Sequence, residues 1–321
     1  MAEERKNRIK EFENELSEKL EDMLYKRYGK LVDIEPKNTI KTNGEKPALI
    51  VRFEDSPMSP TLYSEELFAQ YVNGKSIDNI VNEMSEVIYN AYVNTPEMPE
   101  LTIEEAIKHI KLNVINSEMN KQLLEDTPHF NILEGELSAI PRWYVSDEAS
   151  FIVKNNLVSQ LGMTPEEVLQ IGQHNINNQE YVIQSMNDLL QGMLGMEVPT
   201  VEEPKMLVIT SERMFHGANA LLSDETLKQV FEEMGEQRYA IIPSSVNEII
   251  ALEIDENMNP VDIRSLICEV NSTIVEPEEV LSNQLIMYDG NKLSLVGNTM
   301  EMESPEVDMM KFEKQVMTMS M

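Results

Sequence analysis

A chain of 321 residues with 41% hydrophobic and 26% charged residues can bury a substantial core, and this balance excludes a fully disordered chain, a collagen and a disulfide-stapled miniprotein. Its 57 aspartates and glutamates against 26 lysines and arginines leave a net charge of −31, which opposes contact with nucleic-acid phosphates and with anionic membranes. The single cysteine, Cys268, has no internal disulfide partner, no apolar run approaches the ~18 residues of a membrane span, and residues 1–30 lack an apolar leader, so a soluble cytoplasmic protein is expected.

The first 28 residues read as one amphipathic helix, with Ile9, Phe12, Leu16, Leu20 and Met23 on a single stripe and charged residues elsewhere. Glu4 and Arg8, Glu15 and Lys19, and Asp22 and Lys26 stand at helical pair spacing. The stripe needs a partner, either the protein's own sheet or a helix of another molecule. Gly29 stops the helix, and Leu31 to Phe53 reads as extended chain broken by the turn pair Asn43-Gly44. Pro47 restricts that segment to an edge or a strand start.

A helix is expected over Leu62–Val72, with Leu62, Leu67, Phe68 and Tyr71 inward and Gly74 after it. Ser76 caps the next, where Ile77, Ile80, Val81, Met84, Val87, Ile88 and Ala91 follow a 3.6-residue period. Pro96 and Pro99 mark a boundary, dividing the chain into segments 1–98 and 100–297, with an acidic, Met-rich, weakly ordered tail at 298–321. Beyond the boundary, Thr102 with Glu105 and Thr164 with Glu167 form capping boxes. Strands are expected at Glu136–Tyr144 and Ala149–Val153. Residues 175–205 read as a polar connection or irregular insertion.

Further strands are expected at Met206–Thr210, Tyr239–Ile242 and Glu248–Leu252. One helix opens at Ser223 and closes at Gly235, another opens at Asn259-Pro260, and Asp289-Gly290-Asn291 turns a final hairpin. Helices and strands alternate without regular parallel units, so the fold expected is α+β, with mixed or antiparallel sheets and packed helices.

No phosphate-cradling glycine loop, zinc-type His-Glu-x-x-His helix, paired-cysteine spacing or serine-hydrolase elbow occurs in the sequence, and no cofactor, metal or catalytic set is expected. His109, His129, His174 and His216 stand apart from one another and are read as capping or hydrogen-bonding residues. Cys268 falls within the apolar pattern Ile263, Leu266, Ile267, Val270 and is expected to pack as a small hydrophobe. One polar cluster stands out: Ser245, Asn247, Glu248, Asn271, Glu279 and Ser282 would converge at one edge of a sheet if the strands around 243–248 neighbour the following helix. The competing reading is that they are turn and cap residues bonded to local backbone.

Ser59-Pro60-Thr61-Leu62-Tyr63, Leu112-Asn113-Val114-Ile115-Asn116, Gly217-Ala218, Ile242 through Glu248, Glu269-Val270-Asn271 and Glu278 through Ser282 occur in an order that resembles the bacterial family catalogued as domain of unknown function 5688. That family is seen mainly in gut Firmicutes, often on mobile elements. The resemblance spans about residues 10–290 and implies no activity. At Asn247 the chain departs from the family pattern, which has histidine before the glutamate, and asparagine cannot shuttle a proton near neutral pH.

Three functions follow as expectations. The first is a non-enzymatic interaction protein, linked to a mobile element, whose acidic surface meets a basic protein partner. The second is a hydrolase using carboxylates and amides around Glu248, Asn271 and Glu279. The third is a nucleic-acid mimic that inhibits a DNA-binding protein. Residues 1–30 are close to balanced in charge, so the acidity belongs to the rest of the chain.

Overall fold

The computed structural model describes residues 2–56, 59–95, 100–146, 149–194, 205–254 and 258–297. The Met-rich segment from 298, the prolines at 96 and 99, and residues 195–204 lie outside them. The chain divides into two compact units: Met1–Phe130 with Ser138–Ile176, and Asn131–Leu137 with the chain from Asn177 on. The break expected near residues 98–100 falls inside the first unit.

The first unit opens with α1 (Ala2–Tyr28), followed by β1 (Val32–Lys41), β2 (Gly44–Phe53), β3 (Thr61–Tyr63), α2 (Ser64–Val72) and α3 (Ile77–Val93). The stripe of α1 finds its partner within the chain: Phe12, Leu16, Leu20 and Leu24 pack with Leu49, Val51 and Phe53 of the sheet and with Phe68, Ile80 and Ile88 of the helices. Each such side chain contributes about 1.5–3 kcal/mol by leaving water. Gly29 ends α1 at φ 67.

The hairpin register pairs Lys41 with Gly44, so Thr42 and Asn43 form the loop and Asn43 takes a left-handed φ of 64. Pro47 sits inside the central strand β2, but β3 pairs only with Ala48–Ile50, so at Pro47 the strand has a neighbour on one side only.

Two expectations change here. Leu62 is a strand residue, because β3 pairs with β2 before α2 begins. Tyr71 and Val87, expected inward, are exposed: each lies at the margin of its stripe, and the core is filled by Phe68 and Ile88.

The rest of this unit contains α4 (Ile103–His109), β4 (Ile110–Asn116), α5 (Lys121–Leu124), the first residue of β5 (Phe130–Ile132), nearly all of β6 (Leu137–Tyr144), β7 (Ser150–Ile152), α6 (Asn155–Gln160) and nearly all of α7 (Pro165–Asn177). The sheet order is β4-β6-β5, with β7 pairing β6. Residues on a strand alternate between faces. One face buries Ile110 and Trp143 against Val158 and Val168, and the other carries Ile115 and Ile140 with Leu123. Helix α7 crosses β4 so closely that a Cβ at Gly172 would stand 2.7 Å from Leu112 Cδ2. The Thr164–Glu167 box closes reciprocally, with Thr164 N on Glu167 Oε2 at 2.8 Å and Glu167 N on Thr164 Oγ1 at 3.2 Å.

The second unit holds β8 (Val182–Ser185), α8 (Met186–Leu194), β9 (Met206–Thr210), α9 (Asp224–Glu233), β10 (Tyr239–Ile242), β11 (Glu248–Glu253), α10 (Pro260–Thr273), β12 (Ile286–Tyr288) and β13 (Leu293–Leu295). Its strands run β13-β12-β10-β11-β9-β8, antiparallel at every step. The fold is α+β, as expected.

The stretch 175–205 is not simply a connection: β8 pairs with Leu207–Thr210 of β9 and α8 follows it. A four-residue edge strand carries too little periodicity to read from sequence. Helix α10 buries Pro260 and Ile267, with Ile263 packed beside them. Its apolar stripe is narrower than expected, which leaves Leu266 and Cys268 exposed. Among the described residues no helix is long and apolar enough to cross a membrane.

Candidate functional site

Three loops of the second unit meet beside the ends of β9 and β11. The first runs from Ser211 to His216 and continues into a 3-10 turn, Gly217–Leu222. The second, Pro243–Asn247, joins β10 to β11. The third follows α10 through Glu279 to Ser282.

Ser245 folds the second loop back on itself. Its N–H donates to Glu248 O at 3.1 Å, and its Oγ accepts from Asn247 N at 3.0 Å, the local bonding that serine favours in turns. Asn247 then ties all three loops. Its Nδ2 donates to Glu279 Oε1 at 2.9 Å and its Oδ1 accepts from His216 N at 3.2 Å. Its backbone oxygen accepts from Gly217 N at 3.0 Å and Thr210 Oγ1 at 2.7 Å. A second strut is Val246 N to Glu279 O at 2.8 Å. Glu248 accepts from Ser244 Oγ at 3.1 Å.

The other expected residues form a separate group. Asn271 Nδ2 donates to Ser282 O at 3.1 Å and to Asn283 Oδ1 at 2.8 Å. The buried Ser282 hydroxyl donates to Glu136 Oε1 at 2.6 Å and accepts from Gln284 N at 2.9 Å. Among the described residues no hydrogen bond joins Asn271 to Glu248. The six residues therefore make two bonded groups, and the segment 279–282 contributes to both. Among the described residues no group of three or more His, Cys, Asp or Glu is placed to hold a metal ion.

What this bonding does mechanically is visible in the first loop. Ser211 Oγ donates to Phe215 O at 2.7 Å and accepts from Phe215 N at 3.1 Å, and Met214 N donates to Ser211 O at 2.9 Å. Met214 and His216 both lie in the left-handed region, at φ 55 and 54, a conformation that costs a non-glycine residue roughly 1–2 kcal/mol. The bonds from Asn247 and Ser211 hold the chain there. The result is an apolar pair facing water: Met214 is 73% and Phe215 48% exposed, with the Phe215 ring 3.9 Å from that of His216.

Sequence reasoning missed Ser211, Met214, Phe215 and Glu136, and read His216 only as a capping or hydrogen-bonding residue. Gly217-Ala218 was the nearest readable signal, since a glycine there admits the close approach of Asn247 O, 2.4 Å from where a Cβ would stand.

Residues 9–290 match the model of a family of unknown function, DUF5688. The chain belongs to this family. The DUF5688 region contains every residue of the three-loop cluster as well as most of both compact units. No curated protein and no solved structure matches the chain.

Proposed function

We propose that this DUF5688 protein is a non-catalytic interaction protein that docks a basic partner through the Ser211–His216 loop. The observation that carries this reading is the exposed Met214–Phe215 pair, held by the side chains of Ser211 and Asn247. Apolar anchors fixed before binding lose little entropy on docking, and an aromatic beside a thioether fits the composition of binding hot spots.

Charge supports the basic partner. The 3-10 turn leads directly into α9, which exposes Asp224, Glu225, Glu232 and Glu233 around Lys228, within a chain of net charge −31. Such a field accelerates encounter with a cation-rich surface. The carboxylates of Glu248 and Glu279 serve in this reading as loop struts. A cytoplasmic setting, and service to a mobile element as the resemblance implies, belong to the same proposal.

The test places a photo-crosslinking amino acid at position 215, and at exposed Leu266 as control, in cells of the native host. One discrete basic protein, crosslinked from 215 but not from 266 and lost when Asn247→Ala releases the loop, is the expected result. Equal labelling from both positions, or none from 215, overturns the proposal.

A further inference from the structure

The sheet of the first unit carries a second polar feature. Lys111 and Asn113 on β4, Arg142 and Tyr144 on β6 and Ser150 on β7 alternate along their strands, so they share one sheet face. The register sets Tyr144 opposite Ser150. The Tyr144 hydroxyl donates to Asn113 Oδ1 at 2.9 Å, and Lys111 Nζ stands 5.6 Å from the Tyr144 ring centre.

Among the described residues Arg142 hydrogen-bonds to one serine: Nε and Nη2 reach Ser150 Oγ at 3.2 and 3.0 Å, and Nη2 reaches Ser150 O at 3.3 Å. Among the described residues no carboxylate pairs with it. Burial holds its pKa below the ordinary arginine value, which records how poorly its charge is compensated. Beside it Asn113 is 2% exposed, and its Nδ2 is buried with no hydrogen-bond acceptor.

A half-buried guanidinium without a carboxylate and an unsatisfied buried amide on the same face are each costly, and in a protein with 57 acidic residues a carboxylate for Arg142 would have been easy to supply. Two donors on one face, with no anion of the described chain between them, suit a planar acceptor from outside.

We propose that Arg142 and Asn113 form a binding site for a small monocarboxylate, with Nη1 of Arg142 and Nδ2 of Asn113 each donating to the ligand. Lys111 and Tyr144 are half-buried and form the cover, so entry requires Lys111 to swing off the Tyr144 ring, a rotation that long surface side chains make in nanoseconds. A monoanion is favoured over phosphate because the −31 field repels a dianion twice as strongly, and because the site offers a guanidinium edge and one amide rather than the many donors of a phosphate cradle.

The experiment is an NMR titration of the full chain with sodium acetate, against sodium phosphate and sodium chloride at equal ionic strength. It follows the Asn113 side-chain NH2 and the Arg142 guanidinium signals. Acetate should shift both saturably, chloride should not, and phosphate should bind at least tenfold more weakly. Arg142→Gln and Asn113→Ala should each weaken acetate at least tenfold, and Arg142→Lys, which keeps the charge and loses the fork, should fall between. Shifts that grow linearly with acetate would mean that water alone satisfies these groups, and would overturn the proposal. So would saturation by phosphate in preference to acetate. Because the wild-type titration is read at the two named side chains, a variant that fails to fold leaves the proposal testable.

Discussion

Asn247 and Glu279, 32 residues apart in sequence, meet through one hydrogen bond of 2.9 Å from Nδ2 to Oε1. The opposite end of the same amide accepts from His216 N, so one small side chain sets the spacing of two loops. Asn247→Asp replaces the donor with a second carboxylate facing Glu279. It should destabilise the protein by about 1 kcal/mol in urea unfolding, the low end of the cost of an unmet polar partner, because both side chains are only half-buried. Asn247→His, with one donor and one acceptor nitrogen, should cost less than half as much.

Gly217 is the only residue type that fits its place. A Cβ would lie 2.4 Å from Asn247 O and 2.5 Å from Thr210 Cα, both backbone atoms that cannot rotate away. Gly217→Ala should cost about 1–3 kcal/mol. Hydrogen exchange of the amides at 217 and 218, both bonded to the 246–247 backbone, should accelerate at least tenfold relative to those of β10.

In the first unit Asn43 and Asn120 form a reciprocal pair: Asn43 N donates to Asn120 Oδ1 and Asn120 Nδ2 donates to Asn43 Oδ1, each at 2.7 Å. Asn120 is 2% exposed and also bonds Asn116 O. Asn120→Ala removes the acceptor of the Asn43 N–H and should destabilise this unit by about 1–3 kcal/mol. Asn43→Gly keeps the N–H and suits the left-handed φ, so it should cost less. The single tryptophan, Trp143, lies in the same unit, and its fluorescence during denaturation reports both changes.

Lys30, Asp55 and Tyr92 close a triangle at the end of α1, with Lys30 bonded to Tyr92, Lys30 to Asp55 at 2.9 Å and Tyr92 to Asp55 at 2.8 Å. The bond to Tyr92, then that to Asp55, raises Lys30 from 10.5 to about 12. The bond from Lys30, then that from Tyr92, lowers Asp55 below its ordinary 3.8. The Lys30 contribution is complete below 10.5 and fades as pH rises through about 12. The Asp55 contribution is complete above 3.8 and fades as pH falls through its lowered value. Asp55→Asn should therefore lower Tm at pH 7 and make no difference once the pH is below the lowered Asp55 value, as thermal melts across that range would record.

Much of the architecture was legible because its signals are local. Ser76 caps α3 by accepting from Asn79 N at 3.3 Å, Ser223 caps α9 through Thr226 N at 3.2 Å, and Asn259 caps α10 through Val261 N at 3.0 Å. Each pair is two or three residues apart, within reach of any single-sequence reading. The hairpin between Tyr288 and Leu293 is equally local. Helical periodicity placed Phe12, Leu16 and Leu20 on one face, and that face is buried.

Periodicity assigns a face but not the width of what covers it. Tyr71, Val87, Leu266 and Cys268 lie on apolar stripes and still meet solvent, because the neighbouring element reaches only the stripe's centre. The strand β8 was invisible for a related reason: its stability comes from pairing with β9, not from its own four residues.

What the sequence by itself determined was the α+β class, the capped or glycine-stopped ends of the periodic helices and the family, all of which follow from short-range spacing and from anchors in order. The tertiary structure alone decided that Asn247 belongs with His216 and Glu279 while Asn271 belongs with Ser282. It alone set Arg142 beside Asn113 on one sheet face. Hydrogen bonds between loops depend on which strand ends are adjacent, and that adjacency is fixed by the packing of the whole sheet rather than by any residue's neighbours along the chain.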